Sequence, residues 1–402
     1  MSSSLANVKS DRLVTDFLKR KSADSMLKLV NYAKKDDLGD DGIIKLACGL
    51  AESGIVIKDI GVPLCDIPST GGPGSLSTLL CPVLLRLLGN YVFKLGVSGR
   101  PAGGIDVLAQ IKGYNIYPDA SQLRTWLDEN MYVHFLASHN FTPLDSLLFD
   151  FRKANGFLDI HSLVIASILS KKIALNLKYV GLDVRVSSFG NFGANYNEAR
   201  ANSERFNRVA DRLGIESICF LTNGENPQQP YIGRGESILA LQHVFSESNK
   251  YLEDHFRSLL QMAVKLSKNK NVTFGIRQVE QSFFENVNIQ GGSKSSFYEI
   301  ADHIEKSHIF SIRAKRCGFL TIDLKLLRDA IVEIQSQIKT VEFPDPCGVI
   351  LAKMAYEYLT EGEIICTYRC DRDFKEHFTK RLENCFGLSD HSNSINYFEV
   401  VN

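Results

Sequence analysis

One run of the chain, from Leu163 to Lys172, constrains the fold more than any other. Leu163, Val164, Ile165, Ile168 and Leu169 give it the apolar content of a core helix, yet Ser167 and Lys171 interrupt it four residues apart. Residues at that spacing share one helix face. Arg152 stands in the segment leading up to it. A guanidinium, a hydroxyl and an ammonium aimed into one place can hold a planar ligand rich in carbonyl oxygens. They can also stabilise that ligand as it departs as an anion. By spacing alone the pattern suits, more simply, a solvated polar edge on a core helix.

A second feature is the glycine-rich stretch Ser69-Thr70-Gly71-Gly72-Pro73-Gly74-Ser75, which opens into an apolar helix from about Leu76 to Leu88. Glycines let the backbone approach a ligand closely, and a helix start offers unpaired N–H groups at the positive end of its dipole. An ordinary loop before a helix has the same composition, so both readings stand here. Tyr91 to Val97 follows as a short buried strand ending at Ser98-Gly99-Arg100, then Gly103-Gly104-Ile105-Asp106. Val180 to Val186 and Ile215 to Leu221 read as further strands, with a helix from about Asn195 to Leu213. Before all of these, Leu13 to Ile57 is helical by pattern, and Asp11 is placed to cap the first helix.

Composition narrows the function classes. At 402 residues the chain is expected to form two or three domains. Lys plus Arg equals Asp plus Glu at 46 each, which argues against a general nucleic-acid binder. The nine cysteines form no CxxC pair, and no His falls in HxxxH or HExxH spacing, so neither a metal nor a cofactor is expected. No apolar stretch is long enough to span a bilayer, and no apolar signal core opens the chain. Reduced thiols and a cytoplasmic protein are the expectation.

Together these motifs resemble the thymidine and pyrimidine-nucleoside phosphorylases. The spacing from Arg152 through Ser167 to Lys171 matches that family's base-binding signature without a gap, and Ile165-Ala166-Ser167-Ile168-Leu169-Ser170-Lys171-Lys172 is close to verbatim. The glycine-rich loop resembles the family's phosphate loop, and Ser98-Gly99-Arg100 its second one. Leu182-Asp183-Val184, Gly233-Arg234-Gly235, Cys317 to Asp323, Asp345 to Leu351 and Glu361 to Ile365 follow in the family's order. The resemblance implies an α/β fold with an N-terminal helical domain, a central α/β domain carrying phosphate-type loops, and a C-terminal α+β domain. The expected divisions are about 1–62 with 144–179, about 63–143 with 180–300, and about 309–402.

What the resemblance implies about chemistry is specific. Arg152, Ser167 and Lys171 bind the pyrimidine, and Arg152 and Lys171 take up charge on the leaving base. Ser69, Gly71, Gly72, Thr78 and Ser98 hold phosphate, the co-substrate, with Arg100 able to add charge. A homodimer built through the N-terminal helices is implied as well. The departures fall in the chemistry: the family's Lys and His before the phosphate-loop Ser are Ile67 and Pro68, a Thr of the second loop is Ile105, and a Glu beside the metal is Leu239. Losing a charge-assisted hydrogen bond of about 1.5–3 kcal/mol weakens phosphate roughly 10- to 100-fold. Phosphate is therefore expected to bind in the millimolar range, and Ile67→Lys with Pro68→His is expected to tighten it. His161, close to the base signature, is a candidate for the missing proton donor, although isolated histidines are mostly surface or satisfied core residues. Three functions follow: phosphorolysis of a pyrimidine nucleoside, pyrimidine-nucleoside chemistry with a different acceptor or sugar, or a silent relative that binds a pyrimidine or serves as an assembly subunit.

Overall fold

The computed structural model describes residues 2–137, 140–269, 272–392 and 398–402. It is a mixed α/β protein that divides into two compact units, 1–70 with 137–221 and 399–402, and 71–136 with 222–398. This runs differently from the three-part division expected above. Residues 64–66 form a parallel ladder with Leu177–Val186, which draws 63–70 and 180–221 into the helical unit. Tyr231–Ile232 pairs with Cys347–Leu351, which joins 309–398 to the segments before it.

In the first unit three helices, Ser2–Arg20, Ala23–Asp36 and Gly39–Ala51, bury Val14, Phe17, Met26, Leu29, Val30 and Leu46. These are mostly the positions whose periodicity marks an apolar face. Ser22 caps the second helix, its hydroxyl accepting from Ser25 N. Asp11 does not cap the first. The helix begins nine residues earlier at Ser2, and Asp11 instead pairs with Lys45 at 2.5 Å. The helix His161–Ala174 packs on Gly39–Ala51, with Leu163, Ile165, Ala166 and Leu169 buried. Beyond the Leu64–Asp66 ladder, Asp183 N donates to Pro68 O at 2.8 Å and Thr70 N to Asp183 O at 3.0 Å. The strand pairing thus carries the chain directly into the glycine-rich loop.

In the second unit Tyr91–Gly96 and Tyr132–Leu136 pair in parallel, with the helix Ser77–Leu87 packed on both. Three helices, Arg234–Phe245, Ile276–Ile289 and Lys294–Ser307, contribute a cluster of Phe245, Phe283, Phe284 and Phe297 with ring centroids 5.1–6.3 Å apart, and the helix Lys250–Leu266 packs on the first of them and on Ser77–Leu87. The three pairs among Phe283, Phe284 and Phe297 meet edge-on, as ring quadrupoles favour, while Phe245 lies tilted to each of them. The C-terminal part holds a four-stranded sheet in the order 231–232, 347–351, 364–370, 310–313, and a three-stranded one. The helices Leu324–Gln337 and Lys375–Glu383 pack beside them.

Candidate functional site

Arg152 lies in the last turn of the helix Pro143–Ala154, which starts with proline at its first position, where a missing N–H costs nothing. The side chain is 2% exposed. Its Nε donates to Phe157 O at 3.0 Å and Nη2 to Leu158 O at 3.1 Å, so the turn after the helix wraps around the guanidinium. Burial pulls the guanidinium down to about 10, against the raising fields of Asp145 and Asp159. It stays cationic at neutral pH.

Lys171 extends from the helix His161–Ala174 and donates to Ser167 O at 3.1 Å and Ser167 Oγ at 3.3 Å. It also forms an ion pair with Asp145, which is almost fully buried. The structure therefore brings Ser167 and Lys171 together, and Asp145 links them electrostatically to Arg152. Sequence reasoning missed Asp145. Its signal was present: it precedes Arg152 by seven residues, two helical turns, so both occupy one face. Phe149 stands between them on that face. The neighbouring Lys172, about 100° further round the helix, pairs instead with buried Asp66 at 2.6 Å. His161 is the first residue of its helix, about 15 Å along the axis from Lys171. Its Nε2 is 3.6 Å from Glu198, and the structure does not bring it to the Ser167–Lys171 face.

On the anion side Ser69 prolongs the parallel ladder through a bridge to Asp183, and Thr70 Oγ1 accepts from Arg185 N at 3.0 Å. Ile67 is fully buried. The resemblance sets this residue where the family has Lys, and here an apolar side chain shut off from solvent occupies the position. A Lys placed there would have to bury its ammonium, a cost that opposes the gain in phosphate affinity expected of Ile67→Lys with Pro68→His. Ile105 is buried likewise, against Gly96. Gly71 and Gly72 adopt φ of +114° and +102°, and a Cβ on Gly71 would meet nothing within 4 Å. Backbone conformation, not crowding, therefore demands glycine at 71.

The helix start is less open than its sequence suggests. Leu76 N donates to His255 Nε2 at 2.9 Å, and Ser77 N to Ser75 Oγ at 3.1 Å. Two amides expected for an anion are thus occupied by the protein itself. His255, buried on Lys250–Leu266, must present a lone pair at Nε2 to accept this bond. Thr78 is half-buried, and a Cβ on Gly104 would lie 3.0 Å from its hydroxyl and 2.8 Å from His134. Ser98 is exposed on the following turn.

That turn is shaped by a buried carboxylate. Gly99 N donates to Asp106 Oδ1 at 2.8 Å and Arg100 N to Asp106 Oδ2 at 3.3 Å. Arg234 pairs with Asp106 at 3.0 Å and donates to Arg100 O at 3.2 Å and to Pro344 O. Burial raises the Asp106 carboxyl, opposed by Arg234 and the two amides. Burial also lowers the Arg100 guanidinium, helped by the field of Arg328. Sequence reasoning noted Asp106 and Arg234 as motif residues without giving them this work. Leu239 is buried, and Glu236 one turn before it is held by Arg369 at 2.6 Å and His308 at 2.9 Å. Burial pushes Glu236 up, but those two partners outweigh it and hold it below its ordinary value. Among the described residues no three His, Cys, Asp or Glu side chains are grouped to hold a metal ion.

No protein-family model matches the chain. The pyrimidine-nucleoside phosphorylase of Staphylococcus aureus strain USA300 is 25% identical over 383 residues, covering 88% of this chain and 86% of the relative. That of the bovine strain RF122 is 24% identical over 380 residues with the same coverage. Solved structures with a similar backbone include anthranilate phosphoribosyltransferase from Thermus thermophilus, at 13% identity and TM-score 0.46, covering 72% of this chain and 97% of that one. The Saccharomyces cerevisiae enzyme of the same name gives 13% and 0.47, covering 72% and 91%. The chain is thus similar to the pyrimidine-nucleoside phosphorylases over most of both chains, at about one residue in four.

Proposed function

We propose that the protein is a pentosyltransferase that cleaves the N-glycosidic bond of a pyrimidine nucleoside, with phosphate attacking the anomeric carbon as the base leaves. The observation carrying this reading is the Ser167–Lys171 pair, tied to Asp145 on the helix that bears Arg152. Bond cleavage leaves negative charge on the pyrimidine carbonyls. Cations placed there interact more strongly with the transition state than with the neutral base, which is the condition for rate acceleration. In this reading Lys171 turns its ammonium to a base carbonyl while Asp145 keeps it oriented, Ser167 fixes the ring, and Arg152 adds positive charge. Buried in a shell of its own turn, Arg152 loses little conformational freedom on binding.

Ser69, Gly71, Gly72, Thr78, Ser98 and Arg100 serve the phosphate, as neutral donors with one guanidinium. No metal, cofactor or nucleic acid enters the reaction, and two copies pair through the N-terminal helices, where Val8 (66% exposed) and Leu27 (43% exposed) present apolar surface. No described helix is long and apolar enough to cross a membrane. A second reading, a different acceptor or sugar, is favoured by one observation: Ile67 and Ile105 put apolar core where relatives carry polar groups. Incubating uridine and thymidine with and without phosphate, and measuring free base, separates the two. Phosphate-dependent release supports phosphorolysis, release indifferent to phosphate supports the second reading, and base binding without release removes both.

A further inference from the structure

Within the four-stranded sheet, Cys347 on Cys347–Leu351 stands directly opposite Cys370 on Ile364–Cys370 in an antiparallel ladder. The hydrogen bonds define what kind of pair this is. Asp371 N donates to Pro346 O at 2.9 Å, and Ala352 N to Ile365 O at 2.9 Å. Hydrogen-bonded pairs alternate with non-bonded ones along an antiparallel ladder, so 371/346 and 365/352 belong to the bonded set and 370/347 to the other. In a non-bonded pair the Cα atoms are about 4.5 Å apart and the side chains are closest, within the Cα range of a disulfide. Cys366, the third cysteine of this ladder, faces Leu351 and Ile312 and has no such partner across either strand.

The surroundings connect the pair to the anion-side turn. Arg369, next to Cys370, binds Glu236 and also Asp345 at 2.6 Å. Asp345, two residues before Cys347, accepts from Gly235 N at 3.1 Å. The adjacent Arg234 holds Pro344 O and, through Asp106, the Gly99–Arg100 turn. Burial pushes both thiols up, Cys370 to about 12 and Cys347 well above its ordinary value, so each remains a thiol at neutral pH and reacts slowly.

We propose that Cys347 and Cys370 form a reversible disulfide, a thiol-modification site that adjusts the anion-side turn through the Arg369–Asp345–Arg234 chain of contacts. The oxidant is a low-molecular-weight disulfide. Cys370, half-buried and the more accessible thiol, attacks one of its sulfurs. The small S–S bond breaks, a mixed disulfide forms, and one small thiol leaves with the proton from Cys370. Cys347 then attacks the Cys370 sulfur, and the second small thiol leaves with the proton of Cys347. Two protein thiols are oxidised and one disulfide is reduced to two thiols.

The test exposes the full-length chain to oxidised glutathione, then maps cysteines by blocking, unfolding and peptide mass. The expected result is a loss of two hydrogens, one crosslinked peptide joining 347 to 370, a higher melting temperature, and reversal of all three by dithiothreitol. Cys370→Ser and Cys347→Ser should each abolish the crosslink. Should the fully buried Cys347 tolerate no serine, the half-buried Cys370→Ser variant decides alone. Both cysteines alkylated, a mixed disulfide persisting at Cys370, or a crosslink through any other pair would overturn the proposal. A phosphate Kd unchanged within two-fold between oxidised and reduced protein would overturn the coupling to the turn. Mapping and melting need no turnover, so they stand or fall apart from the phosphorolysis reading.

Discussion

The base side and the anion side have diverged differently from the family they resemble. On the base side Arg152, Ser167 and Lys171 of the signature are present and each charge has a partner in place: Lys171 with Asp145, and Arg152 with the carbonyls of Phe157 and Leu158. On the anion side Ile67, where the resemblance implies a cationic loop residue, is fully buried, and the amides at the helix start are taken by His255 and Ser75. What persists there is backbone: the left-handed glycines 71 and 72 and the turn folded around Asp106.

The contrast breaks most sharply at Lys171 and Arg152. Lys171→Ala should abolish base release while leaving the Asp145 carboxylate buried without its cation, at about 3–5 kcal/mol of stability. Arg152→Ala should abolish release too, and strand two carbonyls at about 1–3 kcal/mol each. Denaturant melts beside turnover assays separate the two effects, because Asp145→Asn with Lys171→Ala should restore much of the stability and none of the activity. Recovery of activity in the double variant would show that Lys171 serves only Asp145.

On the anion side Ile67→Lys should cost about 3 kcal/mol or more, since an ammonium would enter a fully buried position, and should bring no gain in phosphate affinity. A stable variant with tighter phosphate, read by calorimetry and melting together, would show that the side chain can reach the ligand. His255→Ala removes the acceptor for Leu76 N and should cost about 1–3 kcal/mol. It should leave pyrimidine affinity untouched, because the effect belongs to the anion side alone.

The smallest effect concerns the first unit's surface. Burial raises Asp37, but the Arg205 hydrogen bond and the amides of Gly39 and Leu38 outweigh it and hold its pKa below normal. A carboxylate depressed in the folded state contributes stability that is complete above its unfolded value and is lost as pH falls through the folded one. Asp37→Asn should flatten the decline in stability below about pH 4, by about 0.5 kcal/mol for so exposed a pair. An unchanged slope would mean that the ion pair contributes nothing.

The helices of the first unit were legible because periodicity and burial agree at Val14, Phe17, Met26 and Val30. The start of the first helix was not. Asp11 looked like a cap because capping residues also occur inside helices, and only the hydrogen bonds of the preceding turns decide between the two. At the base side, local spacing placed Ser167 beside Lys171, because four residues is a property of the helix itself. Asp145 lay 26 residues from its partner, and pairing at that range depends on how two helices pack. The same holds for His255, 179 residues from Leu76, and for Arg234, 128 from Asp106. Ile67 shows the converse. Its identity was plain, but its full burial, just beyond the Leu64–Asp66 ladder, depends on pairing with a strand more than a hundred residues away.

The most direct test of an intact base side beside a weakened anion side titrates uracil and phosphate separately into the wild-type chain and Lys171→Ala by calorimetry. The account predicts uracil binding that is lost in Lys171→Ala, and phosphate binding in the millimolar range, about −4 kcal/mol or weaker, that is unchanged by it. Uracil bound equally by both proteins, or phosphate bound in the micromolar range, would contradict it.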